Sequence, residues 1–179
     1  MISSSVRKAV FLDRDGVINQ AIIKNGKPYP PSSISELKII TGVKEALEDL
    51  REAGFLLIVV TNQPDVARGA TDKLLVETIN NTLISQLPLD DVFVCYHDDN
   101  DKCDCRKPLP GLILQASSKY NIDLNNSFMI GDRWRDIDAG KNASCKTMWI
   151  NAGYDERQPE SPDFEVLSLK EAANIILKK

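Results

Sequence analysis

Two groups of residues in this sequence have types and spacing suited to chemistry. The first is compact: Cys95, His97, Cys103 and Cys105 in CYHDDNDKCDCRKPLPG bring three of the four cysteines and the only histidine into one short stretch. Three thiolates and one imidazole make a four-ligand set for tetrahedral zinc with no position left open for substrate, the pattern of a structural site. A redox CxC pair or a catalytic zinc are the competing readings. The second group is dispersed. Asp13 and Asp15 in LDRDG, Thr61, Asn62 and Gln63 in TNQ, and Asp132 in GDRWRD each stand where an apolar run breaks into polar residues. Any one of them alone reads equally well as a helix cap after a strand. Three carboxylates converging on one edge would repel each other, and a hard divalent cation, Mg2+, is their natural partner.

The single histidine narrows the chemistry further. If His97 is committed to the cysteine cluster, no imidazole remains to activate a serine or cysteine nucleophile. No cysteine is followed six positions later by arginine, and no GxxxxGK[ST] loop is present. A carboxylate nucleophile is left.

Elements of a particular kind must position these residues. KAVFL (8–12), FLLIVVT (55–61), DVFVCY (91–96), SFMIGD (127–132) and KTMWI (146–150) read as buried strands. Segments of helical period lie between them: 42–54, 71–87 with Thr71 as N-cap, 110–120 and a short 135–143. The chain ends in a short strand and a helix within 163–179. Strands apolar on both faces, alternating with helices, predict a doubly wound parallel α/β sheet. Residues 19–36, rich in Gly, Pro and Ser, read as a loop on the side where such sheets bind ligands. No inserted segment is long enough for a cap domain, so one domain spanning 1–179 is expected. Cys145 reads as a buried strand thiol.

The 179 residues are 42% hydrophobic and 27% charged, with a net charge of -4, an ordinary globular composition without the basic surface of a nucleic-acid binder. The opening MISSSVRKAVFLDRDG holds too short an apolar run for a signal peptide or membrane span. A cytoplasmic, monomeric protein without a nucleic-acid or membrane partner is expected.

Taken together and in order, FLDRDGVIN, VVTNQ, RKP and IGDRWRD resemble the four motifs of the haloacid dehalogenase superfamily of phosphatases. With the cysteine cluster, the chain looks like the superfamily's zinc-loop subgroup, which includes heptose bisphosphate and histidinol-phosphate phosphatases. The resemblance implies a Rossmann-like core and a sugar-phosphate substrate, with a heptose bisphosphate favoured and histidinol phosphate or broader sugar phosphates as alternatives. It also implies that Asp13 is the nucleophile and Asp15 the general acid and base. Mg2+ is implied between the carboxylates of Asp13 and Asp132 and the main-chain carbonyl of Asp15. Thr61 and the amides near Asn62 would hold the phosphoryl group, and Lys107 would supply fixed positive charge. Asn62, Gln63, Arg106, Lys107 and Arg133 are the implied substrate contacts, with zinc aiming Arg106 and Lys107 at phosphate. Tyr29 is a candidate contact from the first loop, Asp136 would brace a cation or cap a helix, and Trp134 would pack. Pro64 and Asp65 depart from the subgroup, which carries Ser and Gly after TNQ. A non-catalytic binding protein on this fold would be expected to lose Asp13, Asp15 or Lys107, all present here, and a phosphotransferase would be expected to carry a cap.

Overall fold

The computed structural model describes residues 6–178; the first five residues of the opening segment lie outside it. Strand β1 (Ala9–Leu12) leads into a two-stranded antiparallel hairpin, β2 (Ile22–Lys24) and β3 (Lys27–Tyr29). Then follow α1 (Val43–Glu52), β4 (Leu56–Asn62), α2 (Lys73–Gln86), β5 (Asp91–Cys95) and α3 (Gly111–Tyr120). The remainder is β6 (Phe128–Gly131), α4 (Trp134–Asn142), β7 (Lys146–Ile150), β8 (Phe164–Val166) and α5 (Leu169–Leu177).

Six strands form one parallel sheet in the order β5-β4-β1-β6-β7-β8. The chain works outward from β1 to β5 on one side, then returns to lay β6 on the other. Strand order therefore reverses at β1, and a crevice at such a switch point is where open α/β sheets bind ligands. Asp13 and Asp132 follow the two strands that flank it.

Alternation along the strands divides the core. Val10, Leu12, Leu57, Val59 and Ile130 pack with α1, α2 and α5 on one face. Ala9, Phe11, Leu56, Ile58 and Met129 pack with α3 and α4 on the other. Burial on both faces accounts for the near-continuous apolar runs in the sequence.

Three local expectations need correction. The 19–36 segment is not all loop: Asn25 and Gly26, with φ of 51° and 72°, make the two-residue turn of the hairpin. Two consecutive left-handed residues suit a type I′ turn, for which Asn-Gly is the preferred pair. Helix α2 is capped by Asp72, whose carboxylate accepts from Leu74 N at 2.9 Å, rather than by Thr71. Cys145 is buried, but one residue before β7 rather than within it.

Candidate active site and metal centres

At the C-terminal ends of β1 and β6, Asp13, Asp132 and Asp136 are buried with carboxylate oxygens within 4.8 Å of one another. Lys107 joins them from the segment after the cysteines. Its ammonium donates to Asp13 Oδ1 at 2.7 Å, Asp136 Oδ1 at 2.6 Å and the Val60 carbonyl at 2.7 Å. Burial alone would lower the lysine's pKa, but Asp13 and Asp136 more than offset this and hold it above its ordinary value. Burial lifts the Asp13 carboxyl to about 6 against the attraction of Lys107, with Asp136 and Asp15 adding to the rise. Asp132 is raised well above the usual carboxylate range by burial and by the charges of Asp13 and Asp136.

Asp136 is fully engaged. Its second oxygen accepts from Arg133 N at 3.0 Å at the start of α4, so it both braces Lys107 and caps the helix. Asp132 differs: Tyr154 Oη donates to its Oδ2 at 2.6 Å, while its Oδ1 is buried without a partner. Three buried carboxylates facing one ammonium, one of them with an orphaned oxygen, fit a divalent cation on Asp13 and Asp132. Gly16 makes room beside them. A Cβ there, at φ +91°, would fall 1.9 Å from Asp132 Oδ2.

Asp15 is held by Arg14, whose Nη2 lies 2.9 Å away, and by the side-chain amides of Asn19 and Gln63, each at 2.9 Å. Gln63 also donates to Thr61 Oγ1 at 3.0 Å, which ties the end of β4 to Asp15. Arg14 is fully buried and donates its Nη1 to Asn80 of α2 at 2.9 Å. This positioning arginine is not evident from spacing, although it sits between the two catalytic candidates.

These groups open into a cleft of ≈ 220 Å³ lined by Asp13 and Asp15, by Tyr29 and Lys27 of the hairpin, by Asn62 and Gln63, and by Arg68 and Arg133. Arg133 is clamped by Glu156, with Nη2 to Oε2 at 2.5 Å. Tyr29 therefore stands where the sequence suggested, and Lys27 and Arg68 are cations that the motifs do not mark. Trp134 lies outside the cleft, with the guanidinium groups of Arg135 and Arg157 over its ring at 4.7 and 4.6 Å.

Arg106 is not brought to this cleft. Its Nε donates to Asp99 at 2.8 Å and its Nη1 to the His97 carbonyl at 3.3 Å, on the cysteine side. Consecutive residues point apart, so Lys107 turns inward while Arg106 closes the loop it leaves. That loop also carries more order of its own than its lack of apolar residues suggests. Asp98 caps a short 3-10 turn over 99–101 and pairs with Arg68 at 2.5 Å.

The cluster itself is closed. Cys95 Sγ lies 3.8 Å from Cys103 Sγ and 3.2 Å from Cys105 Sγ, and His97 Nδ1 lies 3.5 and 3.4 Å from Cys95 and Cys105. Bonds of about 2.3 Å in a regular tetrahedron would space sulfurs about 3.8 Å apart, so the donor set fits a zinc-sized ion. Its link to the cleft runs through the backbone. Asn62 Nδ2 donates to the Lys107 carbonyl at 3.0 Å, and Lys107 N donates to Asn62 Oδ1 at 3.1 Å. Replacing Cys103 and Cys105 by Ser is expected to lower the melting temperature and raise the substrate KM measured with Mg2+ in excess. An unchanged KM in that variant would refute the link.

A parallel sheet with its strand order reversed at β1, a buried Asp13-Lys107 pair and a second aspartate across the switch point define a hydrolase core. The haloacid dehalogenase-like hydrolase family model matches residues 32–144, and the chain belongs to that family. The D-glycero-beta-D-manno-heptose-1,7-bisphosphate 7-phosphatase of Pasteurella multocida (strain Pm70) is 41% identical over 160 residues, 83% of this chain and 84% of that protein. The enzyme of the same name from Haemophilus influenzae is 39% identical, covering 79% of each chain. Among solved structures, the D,D-heptose 1,7-bisphosphate phosphatase of B. bronchiseptica, complexed with magnesium and phosphate, superposes with a TM-score of 0.81. It is 29% identical, over 96% of this chain and 98% of that one. Among the described residues, no helix is long and apolar enough to cross a membrane.

Proposed function

We propose that the protein is a Mg2+-dependent phosphatase that removes the 7-phosphate of D-glycero-beta-D-manno-heptose 1,7-bisphosphate. The observation that carries the reading is the buried Asp13, bonded to Lys107 and with a carboxylate oxygen within 4.8 Å of one from Asp132, beside a cleft that Lys27, Arg68 and Arg133 help to line. The heptose bisphosphate substrate of the relatives supports the choice of ester.

In this reading an Asp13 carboxylate oxygen attacks phosphorus in line, and the P–O bond to the sugar breaks with its electron pair on the leaving oxygen. Asp15 gives that oxygen a proton. Water, losing a proton to Asp15, then attacks the aspartyl phosphate and returns Asp13 as a carboxylate. Lys107 keeps positive charge beside Asp13 throughout, in a site dry enough for it to count. Thr61 and the amide of Asn62 would hold the phosphoryl oxygens, while Gln63, through its bonds to Asp15 and Thr61, ties the end of β4 to Asp15. Mg2+, held by Asp13, Asp132 and the Asp15 main-chain carbonyl, would supply charge that lets an anionic nucleophile approach an anionic ester. Lys27 is suited to the distal phosphate and hydroxyls; Arg68 and Arg133 line the cleft while paired with Asp98 and Glu156, and Arg106 would have to leave Asp99 to take part. Zinc at Cys95, His97, Cys103 and Cys105 is structural in this account, and residues 1–179 act as one domain.

Histidinol phosphate is the informative competitor, because the sequence resemblance extends to enzymes acting on it. Across a panel of phosphate esters, kcat/KM for the heptose bisphosphate should exceed that for histidinol phosphate by at least about a hundredfold; a site whose polar groups the wrong ester leaves unpaired discriminates by about 10⁴–10⁵. A higher value for histidinol phosphate would overturn the substrate assignment while leaving the chemistry in place.

A further inference from the structure

The loop between β7 and β8 holds the site through three consecutive residues. Tyr154 Oη donates to Asp132 Oδ2 at 2.6 Å, Asp155 N donates to the Gly26 carbonyl at the hairpin tip at 2.9 Å, and Glu156 clamps Arg133. The first contact bears on the cation. Asp132 is 2% exposed, and its main-chain carbonyl is also fixed, accepting from Trp149 Nε1 at 3.1 Å. With its backbone anchored and Oδ2 holding the Tyr154 hydrogen bond, the carboxylate has Oδ1 as its one oxygen without a partner. Space for this contact exists because residue 16 is glycine: a Cβ there would lie 2.8 Å from the Tyr154 hydroxyl oxygen as well as against Asp132.

We infer that Tyr154 is a positioning residue that restricts Asp132 to one-oxygen coordination and thereby selects Mg2+ over Ca2+. The inference rests on the reading that Asp13 and Asp132 hold the cation. Mg2+ demands near-ideal octahedral geometry with bonds of about 2.0–2.1 Å, whereas Ca2+ accepts bidentate carboxylates at about 2.3–2.6 Å. An oxygen that accepts a short hydrogen bond keeps a second lone pair, but the bond fixes the plane of the carboxylate and resists the rotation that would bring both oxygens onto one ion. Partners of this kind fix a ligand's orientation, and their loss costs about 10–100-fold in metal affinity. The half-buried ring contributes no other polar atom, so Tyr154→Phe removes the hydrogen bond with little change in packing.

The test is calorimetric titration of the zinc-loaded protein with Mg2+ and separately with Ca2+, together with the melting temperature of each variant before a divalent ion is added. Tyr154→Phe should raise the Mg2+ Kd about tenfold or more. It should leave the Ca2+ Kd unchanged or lower it, so the Mg2+-to-Ca2+ preference shrinks. Tyr154→Ala should move the ratio in the same direction even if its melting temperature falls. Equal weakening of both ions, or no change in the ratio in either variant, would overturn the selectivity role and mark Tyr154 as packing. Asp132→Asn separates the two readings: it should lose Mg2+ binding, and retention of tight binding there would remove the cation site and this inference with it.

Discussion

Asp13→Asn is expected to abolish turnover while leaving the melting temperature close to that of the parent. The two halves of that result have different origins. Turnover needs a carboxylate that can form and then release a bond to phosphorus, and an amide is a poor substitute. Loss of a nucleophile from a site whose groups act as a unit costs on the order of 10⁴–10⁶ in kcat. Stability is spared because the substitution takes one negative charge out of a cluster in which three buried carboxylates face one ammonium. The carbonyl oxygen of the introduced amide can still accept from Lys107. Single-turnover measurements with purified Asp13→Asn, alongside a thermal melt, decide the matter. Residual turnover within about a hundredfold of the parent would end the nucleophile assignment.

Lys107→Met should do the opposite to stability. Removal of the ammonium leaves Asp13, Asp132 and Asp136 buried together without a countercharge, and breaking a buried pair in this way costs about 3–5 kcal/mol. In a chain of this size that corresponds to a fall in melting temperature of roughly 10 °C. Because the same ammonium sits on Asp13, the proposed nucleophile, kcat should fall as well, and added Mg2+ should recover part of the stability but not the activity. A Lys107→Met protein that melts within about 2 °C of the parent would show that the carboxylates are neutralised in some other way.

What could be read from the sequence, and what could not, follows from how each residue is constrained. The sheet was legible because strands buried on both faces leave unbroken apolar runs, and the candidate site was legible because those runs end abruptly in Asp13, Thr61 and Asp132. The hairpin carried a usable signal in Asn25-Gly26 between apolar flanks, which the Pro and Ser content of the segment obscures. The direction of Arg106 was not legible because adjacency in sequence says nothing about it: the residue next to an inward-facing lysine turns back to Asp99. Asp72 caps α2 in place of its neighbour Thr71, a choice between two good caps that backbone geometry makes. Arg14, Arg68 and Tyr154 depend on contacts with Asn80, Asp98 and Asp132, far away along the chain, and no local pattern encodes such meetings.

The stretch from Tyr154 to Glu156 belongs to no helix or strand, yet Asp132, the hairpin tip and a cleft arginine are all bonded to it. Segments of this kind open at lower free energy than the sheet beneath them. A fluctuation that lifts these three residues would release all three parts at once, while the parallel sheet and its two apolar layers stay folded. Activity under heat is then expected to fail before the sheet melts, and stiffening that strap to prolong activity without any gain in global stability.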